Sequence, residues 1–124
     1  MFGFKKNKNK RLTKKTCVTF LEILTNLLQI LKKSNIHEQA KFIEVLIVLL
    51  NQRKDEQFID LINSVNMWGG SGAVWEVHIE DSADNRSFEK EIVNLIDFME
   101  KINILGPGVK PIRKLFKQNI KGKL

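Results

Sequence analysis

The sequence predicts a mainly α fold, a four- to five-helix bundle with one short β-strand or extended segment after a glycine-rich turn. Three observations predict it. Apolar residues recur at helical spacing through residues 16–33, 36–51, 55–65 and 88–102. Three glycines fall within Gly69–Gly72 and interrupt that period. Ala73, Trp75, Val77 and Ile79 then alternate with Val74, Glu76, His78 and Glu80, the two-residue period of a half-buried strand.

The first helix carries Cys17, Leu21, Leu24, Leu28 and Leu31 on one stripe, widened by Val18, Phe20 and Leu27. Lys32 and Lys33 suit its C-terminal end, where the helix dipole favours cations. Asn35 followed by Glu38 reads as the capping-box start of a second helix. That helix has apolar residues on most sides and is therefore expected at the centre of the bundle. Asp55 reads as the cap of a third helix, with Phe58, Ile59, Ile62 and Val65 facing inward. After the glycine turn and the strand, Phe88, Ile92, Leu95, Ile96, Met99 and Ile102 define a long fourth helix, stopped by Gly106-Pro107-Gly108. A short amphipathic helix follows Pro111, with Ile112, Leu115, Phe116 and Ile120 on one side.

Charge divides the chain more sharply than its net +7 suggests. Residues 1–15 and 106–124 hold thirteen of the 21 bases and none of the 14 acids. The expected organisation is a basic, largely disordered arm over 1–15, a helical domain over 16–105 and a basic amphipathic segment over 106–124. No run approaches the roughly 18 apolar residues needed to span a bilayer, and no secretory leader is read at the start. With one cysteine, Cys17, no internal disulfide forms. A cytoplasmic location is the expectation.

Chemistry-bearing patterns are scarce. Trp68-Gly69-Gly70-Ser71-Gly72-Ala73-Val74 lacks the Lys-Ser/Thr of a phosphate loop. Ser71 stands in Gly-Gly-Ser-Gly rather than in a nucleophile elbow. His37, His78 and Cys17 are too scattered to supply a zinc site. The acids Glu76, Glu80, Asp81, Asp84, Glu89 and Glu91 lack the spacing of a calcium loop. The expectation is a protein that is not an enzyme, with no catalytic residue, no metal and no cofactor.

Trp68-Gly69-Gly70-Ser71-Gly72, with Glu76-Val77 following, resembles the central signature of small bacterial helical proteins, some of them immunity-type or interaction proteins. The resemblance covers about ten residues. It implies a protein-interaction domain of immunity or accessory type. For such a domain the candidate partner-binding surface is Trp68, Gly70, Trp75, Glu76, Glu80 and Asp84, although the plainer role of both tryptophans is to close the turn against the core. A different reading starts from the ends. Lys5, Lys6, Lys8, Lys10, Arg11, Lys110, Arg113, Lys114, Lys117 and Lys121 form a candidate anion-binding set. They fit nucleic acid through its phosphates, or, less well, an anionic membrane surface on which the C-terminal apolar side inserts. Solubilising tails are the plainest alternative. Pairing of the strand across a two-fold axis would make a dimer.

Overall fold

A computed structural model describes residues 12–69, 71–106, 109, 112, 114 and 115. Four longer helices carry the fold: α1 (Lys14–Lys33), α2 (His37–Asn51), α3 (Asp55–Ile62) and α5 (Ser82–Lys101). A single turn, α4 (Val65–Trp68), and a 3-10 turn at Val74–Glu76 link α3 to α5. The small helical bundle is as the periodicity predicts, and no described helix is long and apolar enough to cross a membrane.

The central element is α1, not α2. α1 packs against both α2 and α5, whereas the main neighbours of α2 are α1 and α3. Periodicity shows how much of a helix is apolar. It does not show which helix is enclosed: α2, although it also packs on two helices, leaves Val45 and Val48 exposed. Phe20 explains the centrality of α1. It is fully buried, and the rings of Phe58 (α3) and Phe98 (α5) meet it edge-on, each at 4.9 Å. The α1 stripe is centred on Cys17, Phe20, Leu24, Leu27 and Leu31, slightly rotated from the expected one, which leaves Val18 exposed. Asn26 donates to Glu91, and Lys33 pairs with Asp84 at 3.2 Å. These two contacts fix α5 antiparallel to α1. Lys32 pairs with Glu44 across the α1–α2 hairpin at 3.1 Å.

Asn35 stops α1 and does not cap α2. It adopts φ 60°, donating to Lys32, while the next N–H, that of Ile36, donates to Leu31. This paired pattern satisfies the last carbonyls of a helix through one left-handed residue. Arg53 after α2 and Asn103 after α5 repeat it. Asn adopts left-handed backbone readily, which makes it a good terminator.

The third helix breaks at Asn63–Ser64, and Val65, expected inside, is 76% exposed. The strand over Ala73–Ile79 is also corrected, since no strand occurs among the described residues. A lone strand has no ladder partner for its N–H and carbonyl groups. The chain instead turns on itself, with Glu76 and Val77 donating to Ala73 and Val74. Val74, expected outside, is fully buried, while the buried N–H of Ile79 donates to Asn85 Oδ1 at 2.9 Å. The outward placement of Glu76, His78 and Glu80 does follow the alternation.

The described fold already includes Leu12, ahead of the expected start at residue 16. Leu12 is buried, and Thr13 caps α1 by accepting from Thr16. At the other end Val109 is buried and Ile112 packs against the core.

Candidate functional site

The tryptophans are built into the turn. Trp68 is buried and its Nε1 donates to the Ile62 carbonyl at 2.6 Å. Trp75, half-buried, donates from Nε1 to the Gly69 carbonyl at 2.8 Å. The two indoles thereby fasten the α4 turn to α3 and the 3-10 turn to α4. The glycines serve the same closure. A Cβ on Gly69 would fall 2.6 Å from the Val65 carbonyl oxygen, and Gly72 turns with φ +87°. Gly70 lies outside the described residues.

Of the expected partner surface, Trp75 and Glu76 do come together. With Val77, His78, Asn85, Glu89 and Leu115 they line an open groove of about 230 Å³. Glu80 is exposed just before α5. Asp84 lies in the first turn of α5, where its N–H donates to the capping Asp81 and its carboxylate meets Lys33. Acids at this end complement the helix dipole, which accounts for part of the acidic cluster. Trp68 is not on this surface, because its indole faces inward. Among the described residues no group of three or more His, Cys, Asp or Glu side chains is placed to hold a metal ion.

A second locus was not legible as a site. Asp55 is the first residue of α3, not its cap, and is only 7% exposed. It accepts from the Leu12 N–H at 2.9 Å and from Arg53 through Nε and a terminal nitrogen at 3.2 and 3.0 Å. Arg53 also donates to the Leu12 carbonyl. Both backbone groups of Leu12 are thus held by one ion pair at the α2–α3 junction. The Asp55 hydrogen bond raises the Arg53 guanidinium further above its ordinary value. At the other end of α3, Asn63 donates to the carbonyls of Ile59 and Ile104 and accepts from the Gly106 N–H at 2.7 Å.

These two clamps hold Leu12 and Gly106 at opposite ends of one eight-residue helix. At 1.5 Å per residue the anchors are about 12 Å apart along its axis. Around the Leu12 clamp stand exposed Lys14 and Lys15, in a first turn with no acid, together with Arg53 and exposed Lys54. Beyond the clamps, residues 1–11 and 107–124 contribute eleven further bases and no acid. Of the expected anion-binding set, Lys114 is exposed. Lys5, Lys6, Lys8, Lys10, Arg11, Lys110, Arg113, Lys117 and Lys121 lie outside the described residues.

Cys17 is buried beside the Leu12 clamp. Desolvation pushes its thiol above the ordinary value, Arg53 pulls it partly back, and Asp55 adds to the rise. The folded protein therefore holds this proton more tightly than the unfolded chain. The stability that results is complete below the ordinary thiol pKa and is lost as pH rises through the folded value. Two results are expected. Iodoacetamide at pH 8 labels native Cys17 at least ~100-fold more slowly than in 8 M urea. Stability also declines above about pH 8.5, and Cys17→Ala reduces that slope in urea titrations.

Comparison with protein-family models, curated proteins and solved structures finds no match.

Proposed function

We propose that this chain is a non-enzymatic binding module that engages nucleic acid through a basic pole at its two ends. The observation that carries the reading is the double clamp on α3. It holds Leu12 and Gly106, which adjoin the two strongly basic stretches in sequence, at the two ends of one short helix, with Lys14, Lys15 and Lys54 near the first. Two short cationic segments on adjacent anchors act at high effective concentration on one polyanion. Lys14 and Lys15 also oppose the positive end of the α1 dipole, a cost that phosphates would relieve. Nucleic acid is favoured over a membrane because Val109 and Ile112, apolar residues of the C-terminal stretch, are used on the core.

The test is fluorescence anisotropy with a labelled 20-base-pair DNA and a 20-nucleotide RNA. Neutralising six to ten phosphates predicts an affinity loss of about 10³- to 10⁵-fold between 50 and 200 mM salt. Changing Lys5, Lys6, Lys8, Lys10 and Arg11 together to Gln should flatten the salt slope by ~3–5. No binding at 50 mM salt, or binding only to vesicles containing phosphatidylserine, overturns the reading.

A second reading, an immunity-type or accessory protein-interaction domain, is favoured by the groove in which Trp75 and Glu76 face Asn85 and Glu89. It places function on the acidic side of the molecule and leaves the basic ends as solubilising segments.

A further inference from the structure

We propose that the outward face of α2 is a self-association surface, on which a second copy of this chain lays its own α2 antiparallel. α2 buries Ala40, Ile43, Leu46 and Leu50 against its neighbours. On the far side Val45 and Val48 are each 48% exposed, with Phe42 and Leu49 half-buried beside them. Glu38, Lys41, Val45, Val48 and Gln52 follow one another at alternating steps of three and four, the seam spacing of paired helices. This seam is apolar at its middle and polar at its ends.

The occupant follows from the charges. Exposed Glu38 marks the beginning of the seam, and exposed Lys54 lies just past its end. A parallel pairing would set Glu38 on Glu38 and Lys41 on Lys41. An antiparallel pairing exchanges these for two Glu38–Lys54 pairs, sets Lys41 against Gln52 and Val45 against Val48, and opposes the helix dipoles. A two-fold axis between Val45 and Val48 thus maps the surface onto its own complement, as an isologous interface requires. Glu38, Gln39, Phe42 and the 76% exposed Val65 also line a groove of about 320 Å³ at the start of α2. This groove extends the face to where the end of the partner's α2 would lie. The Gln39 side chain donates to the Gly72 carbonyl at 2.9 Å, which holds the groove's wall to the helix.

This inference does not depend on nucleic-acid binding, and it is tested with nucleic acid removed by a high-salt wash. Sedimentation velocity of the full chain over about 5–500 µM should show a monomer–dimer equilibrium. A patch of this size is small for an interface, so the dissociation constant is expected on the order of 10–100 µM. Val45→Glu with Val48→Glu should weaken association by at least ~100-fold without loss of helical circular dichroism. Glu38→Lys and Lys54→Glu do not threaten the fold. Each should weaken the dimer ~3- to 10-fold, and the double variant should restore it. A monomer at every concentration overturns the proposal, as does a dimer indifferent to the valine changes, which would place the contact elsewhere. Failure of the double charge variant to restore association overturns the antiparallel register.

Discussion

Phe20→Ala is expected to cost about 3–5 kcal/mol, a large share of the ~5–15 kcal/mol that stabilises a typical domain. The residue is fully buried and touches Phe58 and Phe98 edge-on from two sides. Truncation removes the hydrophobic transfer energy and both ring contacts, each worth about 0.5–1.5 kcal/mol beyond area burial. It also leaves a cavity where three helices meet, with little freedom to collapse. Urea titration should show a midpoint lower by roughly 1–3 M with an unchanged slope. Phe20→Leu keeps most of the volume and should cost about 1–1.5 kcal/mol. Equal losses from Ala and Leu would mean that ring geometry, not volume, governs the site.

Asp55→Ala is the second large effect, expected at about 2–3 kcal/mol. The carboxylate is buried, whereas the Arg53 side chain is 48% exposed. The orphaned guanidinium can therefore turn toward water, which keeps the cost below that of breaking a fully buried pair. What is lost is the acceptor for the buried Leu12 N–H and the charge-assisted pair. The local consequence is more diagnostic than the global one. With Leu12 released, the first turn of α1 should fray, and trypsin should cut after Lys14 and Lys15 at least ~10-fold faster. Asp55→Asn still accepts from Leu12 and should show about half the stability loss. Unchanged proteolysis in Asp55→Ala would mean that Leu12 is held mainly by its side chain.

Helices α1 and α5 were legible because their apolar residues fall on one stripe with polar residues opposite. The faces of Phe20, Leu24, Phe88 and Ile92 follow from spacing alone. The place of α2 was not, since Val45 and Val48 have the same composition whether they meet a neighbour or solvent. The role of Asn35 is not legible because its work is done by backbone N–H groups in a left-handed turn, and a capping-box pattern uses the same residue types. The Trp/Gly turn was visible as a break in periodicity. Its indole-to-carbonyl bonds, which turn apparent anchors into fasteners, require three-dimensional placement. Asp55 and Asn63 were the least legible. Each acts on a residue more than forty positions away, Leu12 in one case and Ile104 and Gly106 in the other. The one local hint was an Arg two places before an Asp at a helix start.

The double clamp has a topological consequence. Because Leu12 and Gly106 sit on the same short rod, the body between them is nearly a closed loop with its opening at one spot. Such a body can be spliced into a surface turn of another protein without prising that turn apart. Conversely, tension applied at Leu12 and Gly106 themselves would load α3 first and leave the α1–α5 seam unstressed until that helix gave way.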